Sequence, residues 1–216
     1  MAEKNEMDVV PLFSSPLIQV QLDLDLEKLT EFAFQMQNKD KKGSNVPRSS
    51  RGGWQSNDIT EENHEEFIRL KKEISQYLQT YHSEVFQGME FKTNVVQSIA
   101  NTWVNINEKN HWNEWHLHPG ATLSGVYYIK HDGCVENGNI LFKHPVNQFT
   151  YIITNHWPLE LIKKHNEVTS KEISFTPKSN MLLLFPSWLK HKVQVNLKNE
   201  SRISLSFNSR LEPEIK

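Results

Sequence analysis

A single cysteine, Cys134, excludes an internal disulfide and any zinc or iron–sulfur site built on thiolates. Histidine and carboxylate are then the only dense metal ligands available. No apolar run approaches the ~20 residues a helix needs to span a bilayer, so no membrane role is expected. The first residues, Met-Ala-Glu-Lys-Asn-Glu, are charged and no apolar stretch follows them. That excludes a secretory signal and predicts an intracellular, cytoplasmic protein. Excess charge of one sign is also missing: 24 Lys and Arg stand against 26 Asp and Glu, interspersed along the chain. Without a basic stripe to neutralise phosphates, nucleic acid is not an expected partner.

What is present is enough for one domain over residues 1–216 with a sizeable core. Two short β-type runs, Val9–Phe13 and Pro16–Val20, are broken by proline and serine and suit edge strands. Leu26, Leu29, Phe32 and Met36 then fall at helical spacing. Residues 38–53 lack periodicity and predict a mobile loop, and Gly52-Gly53-Trp54-Gln55-Ser56 at its end reads as a turn with a packed Trp or as an anchor or lid. A longer helix is expected from Asp58 or Thr60 to Gly88, with Phe67, Leu70, Ile74, Tyr77, Leu78, Tyr81 and Val85 as its apolar stripe.

Beyond that helix the periodicity turns strand-like. About nine runs follow: 94–100, 102–106, 122–129, 138–142, 149–153, 172–175, 181–185, 192–195 and 202–207. Evenly spaced short strands point to an antiparallel sandwich or barrel, and helices preceding a run of strands point to α+β with helices on one sheet. Residues 1–90 would support a core formed by 94–210.

The chemistry concentrates at His111-Trp-Asn-Glu-Trp-His116-Leu-His118-Pro119. In an extended chain, residues i and i+2 share a face, so His116 and His118 can present two imidazoles to one ion. Imidazole suits zinc, iron, copper and nickel alike, and the pair does not name the metal. His191 starts a strand just behind the turn Pro186-Ser-Trp-Leu-Lys and could point into a barrel mouth. Arg202 and Ser204 share a face by alternation, and a buried guanidinium with a hydroxyl beside it suits a carboxylate guest. Asn105 could bond a cosubstrate or a metal-bound water, or be a structural amide. Tyr128 could reach the same carboxylate as Arg202 or simply pack in the core. His111 reads as a rim residue, Trp112, Trp115 and Trp188 as pocket walls, Trp157 as core, and His64, His82 and His165 as surface.

The order His116-x-His118-Pro119, His191, Arg202-Ile-Ser204 on short strands behind a helical part resembles the 2-oxoglutarate/Fe(II)-dependent oxygenases of the double-stranded β-helix fold, a jelly-roll or cupin-like barrel. With Gly52-Gly53-Trp54-Gln55-Ser56, Trp103-Val-Asn105, Leu123–Tyr128 and Phe185–Leu189, the match extends over nearly the whole chain. It is similar to an oxygenase family of marine bacteria and of phages of marine cyanobacteria. The resemblance implies Fe(II) on His116, His118 and His191, and 2-oxoglutarate with its far carboxylate on Arg202 and Ser204. It implies O2 and a small-molecule or peptide substrate as partners, with hydroxylation coupled to formation of succinate and carbon dioxide. The compartment would be the cytoplasm, that of a phage-infected host included, and a homodimer is compatible with it. The superfamily usually has a carboxylate where His118 stands, so Glu114 or an acid of the Asp132–Glu136 turn remains open as third ligand. Two rival readings stay beside it: a cupin-like metalloenzyme that does not use 2-oxoglutarate, and a non-catalytic small-molecule-binding barrel.

Overall fold

The structure is a computed structural model that describes residues 14–44 and 49–214. The expected strand Val9–Phe13 lies outside the described residues. Strand β1 (Ile18–Gln21) is followed by helix α1 (Leu26–Lys39), the two-residue strands β2 (Ser50–Arg51) and β3 (Trp54–Gln55), and helix α2 (Glu65–Val85). Then come β4 (Val95–Asn107), β5 (Trp112–His116), β6 (Leu123–Lys130), β7 (Ile140–Lys143), helix α3 (Asn147–His156), β8 (Glu172–Phe175), β9 (Met181–Pro186), β10 (His191–Val193) and β11 (Arg202–Pro213). A six-stranded sheet runs β1-β9-β6-β11-β4-β3, and a five-stranded sheet runs β2-β5-β10-β7-β8. Every pairing is antiparallel. The two sheets form the double-stranded β-helix, with α1 and α2 packed on the larger one.

Alternation along the strands divides the core in two. On β9, Leu182 and Leu184 face the helices while Met181, Leu183 and Phe185 face the smaller sheet. On β11, Ile203, Leu205 and Phe207 join Phe32, Phe67, Leu70, Ile74 and Leu78 of the helices in one cluster. The opposite face of β11 is therefore free to carry polar residues between the sheets. Asp25 caps α1 by accepting from the amides of Glu27 and Lys28, and the buried Glu66 carboxylate accepts from the Asp25 amide and from Arg69 Nη1, both at 2.8 Å. This fixes α1 against α2.

Four expectations need correcting. The segment 149–153 lies in helix α3 and is not a strand; Ile153 alone of residues 151–153 is buried, and for so short a run β propensity is a weak guide. Helix α2 begins at Glu65, because Asp58 instead accepts from Thr60 N, Thr60 Oγ1 and Thr102 N and closes a preceding turn. It ends at Val85 with Phe86 as cap, before Gly88. The runs 94–100 and 102–106 are one strand, β4. Finally, residues 49–56 are ordered into the sheets: Ser50 and Arg51 pair with Asn113 and Trp112 of the small sheet, and Trp54 and Gln55 with Ile106 and Asn105 of the large one. Gly52, at φ +82°, makes the step between sheets against the His111 ring, and Trp54 Nε1 donates to Asp40 O at 2.9 Å. Trp54 is an anchor.

Gly125 marks the tightest packing in β6. A Cβ there would sit 2.2 Å from Phe207 Cζ and 2.8 Å from Leu183 O, with Phe207 fully buried. Gly125→Val is expected to lower stability by about 1–3 kcal/mol or more, as overpacking of a filled core does. A thermal melt equal to that of the parent protein would refute this packing. No helix among the described residues is long and apolar enough to cross a membrane.

Candidate metal centre and cavity

His116 ends β5, His191 opens β10, and the two are register partners across the small sheet. His118 follows two residues after His116, held by its amide donating to Ser187 O at 2.9 Å. One ring nitrogen from each of the three lies within 4.8 Å of the others. His116 Nδ1 contacts Glu114 O at 2.7 Å and His191 Nδ1 contacts Leu189 O at 2.9 Å. With Nδ1–H donating to those carbonyls, the Nε2 lone pairs are left for an ion. The donor set therefore fits a divalent transition metal that accepts imidazole.

Burial lowers the pKa of all three rings, that of His118 to about 4 with the His116 charge adding to the effect. At neutral pH they are uncharged and ready to ligate. The sign for stability follows from proton uptake. An unfolded chain protonates these rings at the ordinary 6.5, whereas the folded one resists protonation of His118 down to about 4. Their contribution is thus present above that window and is lost as pH falls through it. The melting temperature of the metal-free protein is expected to fall from pH 6.5 towards 4, less so in His118→Asn. A pH-independent melt across that range would contradict the burial of these rings.

No carboxylate joins the cluster among the described residues. Glu114 is instead gripped by Arg51, at 3.0 Å from Nε and 2.6 Å from Nη2. Asp132 pairs with Lys198 at 3.2 Å, and Glu136 lies on the outer face.

The rings open on a cavity of about 550 Å³ that is also lined by Asn105, Asn107, Tyr128, Arg202, Ser204 and Ser206. Its floor is the guanidinium of Arg202, only 2% exposed. Arg202 Nη1 donates to Asn137 O at 2.8 Å and Gln194 O at 3.2 Å, and Gly138 is required beside it, since a Cβ would meet Nη1 at 2.1 Å. Arg202 Nη2 is buried without a partner, and so are the Tyr128 hydroxyl and Asn107 Nδ2. Asn107 is the register partner of Arg202 on β4, and Tyr128 and Asn105 are those of Ser204 on β6 and β4. Burial pushes the Arg202 pKa down to about 10, leaving it charged, and raises the Tyr128 phenol well above its ordinary value. Among the described residues no carboxylate pairs with Arg202. Three buried, unpartnered donors on the wall of one cavity, one of them cationic, are chemically suited to an anion.

All seven expected site residues, His116, His118, His191, Arg202, Ser204, Asn105 and Tyr128, meet in this cavity. Asn105 Nδ2 donates to Ser206 Oγ at 3.1 Å. Trp103 and Trp115 also line it, but Trp112 and Trp188 do not, and Trp188 is 51% exposed. His111 lies against Gly52 and outside the cavity, and its Nδ1 accepts from Glu108 N. Trp157 is half-buried, stacked on His165, and is not core. His64 and His82 are half-buried too, stacked on Phe32 and Phe91. Sequence reading missed Asn107, although the alternation Trp103, Asn105, Asn107 already put it on the inner face.

A family model described as "Putative 2OG-Fe(II) oxygenase" matches residues 101–208, which hold every one of the seven site residues. Similar solved structures include a prolyl-4-hydroxylase of Pseudomonas putida, at 15% identity and TM-score 0.58, covering 92% of this chain and 95% of that one. HygX of Streptomyces hygroscopicus, solved with nickel and 2-oxoglutarate bound, is 10% identical at TM-score 0.56, covering 92% and 83%. The viral collagen prolyl hydroxylase of Paramecium Bursaria Chlorella virus-1, solved as a 2-oxoglutarate complex, is 12% identical at TM-score 0.55, covering 89% and 94%. No curated protein sequence matches the chain.

Proposed function

Since this chain belongs to the 2OG-Fe(II) oxygenase family, we propose that it hydroxylates a small-molecule or peptide substrate, with Fe(II) on His116, His118 and His191 and 2-oxoglutarate on Arg202, Ser204 and Tyr128. When bound, iron and cosubstrate supply the oxidation: 2-oxoglutarate and O2 give succinate, carbon dioxide and a hydroxylated product. The protein holds and orients the reactants. His116 and His191 keep Nε2 outward because their Nδ1 atoms are committed to carbonyls. Arg202 Nη2 and the Tyr128 hydroxyl would receive the far carboxylate, Asn105 and Asn107 would add amide donors, and the apolar lining residues Val126, Ile140 and Phe185, the last packed on His191, limit water in the cavity.

The observation that carries this reading is the set of unpartnered donors around Arg202, in the same cavity as the three imidazoles. A buried guanidinium without an anion pays a desolvation cost that a dicarboxylate guest offsets. The cupin-like reading needs a protein carboxylate on Arg202, and the guanidinium instead contacts backbone carbonyls. Anaerobic titration of Fe(II) and then 2-oxoglutarate, followed by ultraviolet–visible spectroscopy, tests the proposal. A visible absorption that requires both is expected, and no change on adding 2-oxoglutarate to the iron-loaded protein would sink it.

A further inference from the structure

At the outer end of the same cavity, Arg51 on β2 and Glu114 on β5 face one another as a fork on a carboxylate, with side chains 45% and 50% exposed. The pair is not needed to hold β2 in place. Ser50 and Arg51 already pair with Asn113 and Trp112, and the Glu114 amide donates to Ser49 O at 3.0 Å. So exposed an ion pair adds little stability and exchanges readily for other partners. What it does offer is one cationic fork and one carboxylate side by side at the mouth. Apart from Arg51, Glu114, Arg202 and the three histidines, the lining of the cavity is uncharged, Gln55, Trp103, Asn113 and Leu117 included.

We propose that the mouth binds the head group of a free α-amino acid, its carboxylate on Arg51 and its ammonium on Glu114. The substrate's two charges then replace the ion pair with two new ones, and neither Arg51 nor Glu114 loses its counter-charge. A lone anion or cation would strand one of them, and an interior peptide residue carries neither charge. Glu114 stands two residues before His116 on β5, about 7 Å along a strand, so a bound head group places an ordinary side chain towards the histidines. The uncharged wall selects a neutral side chain. This inference rests on the oxygenase reading above.

The test uses the full chain loaded with Mn(II) and 2-oxoglutarate. L-leucine, L-isoleucine, L-methionine, L-glutamine and L-proline are titrated by calorimetry and saturation-transfer NMR, beside N-acetyl-L-leucine methylamide. At least one free amino acid is expected to bind and the capped compound is not. The exchange R51E/E114R keeps an ion pair across the mouth but reverses the handles, and should weaken that binding by about thirtyfold or more. A mere clasp would not respond to the exchange. Binding of none of the five to a protein that does bind 2-oxoglutarate would overturn the inference, as would equal binding of the capped compound or an unchanged affinity in R51E/E114R. The wild-type panel decides even if that variant does not fold. If 2-oxoglutarate itself fails to bind, the cofactor assignment falls and this inference with it.

Discussion

Removing His191 is expected to abolish divalent-metal binding. His191 is 4% exposed, stands opposite His116 in the small sheet, and contributes one of three ring nitrogens lying within 4.8 Å of one another. With alanine there, two imidazoles remain, and among the described residues no carboxylate lies in the cluster to take the third place. The loss of Mn(II) or Fe(II) affinity should exceed the roughly 10–100-fold that follows when only the outer partner of a ligand is disturbed. His116→Ala should behave alike. His118→Asp, which restores the carboxylate usual in related sites, should bind at least as well as the parent protein. Calorimetric titration on variants shown to be folded gives the answer: parental affinity in either alanine variant would mean that the ligand set is wrong.

Arg202→Ala should leave metal binding intact and weaken 2-oxoglutarate by about 2–5 kcal/mol, the range for truncating one partner of a buried hydrogen-bonded charge pair. The guanidinium also satisfies Asn137 O and Gln194 O, so alanine will cost stability as well. Two gentler variants separate the effects. Arg202→Lys keeps the charge but loses the fork, and Tyr128→Phe removes one donor without touching the two carbonyls. Both should fold, and both should bind 2-oxoglutarate more weakly than the parent protein when loaded with Mn(II). Unchanged affinity in all three would detach the cosubstrate from this end of the cavity.

Most of the site was legible in the chain because strand alternation is a rigid rule. Arg202, Ser204 and Ser206 share a face once the segment is a strand, and the apolar run 181–185 is short and bounded by turn residues, as a buried strand is. What alternation cannot say is which face is inside, and this is why Tyr128 stayed open between core packing and a carboxylate contact; it lines the cavity with a buried, unpartnered hydroxyl. The errors fall where short-range signals compete. Phe149–Ile153 is β-branched and aromatic yet helical, and Asp58 and Glu61 are spaced like a helix cap, but Asp58 instead closes a turn before α2. The segment around Gly52-Gly53 has no periodicity because its order comes from β4 and β5, both distant in sequence. Long-range pairing of two-residue strands leaves no local trace.

The same bridging segment constrains the order in which the protein assembles. Ser50 and Gln55 precede their partners Asn113 and Asn105 in the chain by long loops, so these pairings cannot form until β4 and β5 exist and the loop-closure entropy has been met. Until then, β4 and β5 each present a bare hydrogen-bonding edge, one on each sheet, a template for pairing with another chain. Docking of this segment caps part of each edge, at Asn105 and Ile106 of β4 and at Trp112 and Asn113 of β5, and it also carries Arg51 to Glu114. One short segment thus both blunts two sheet edges and completes the rim of the cavity.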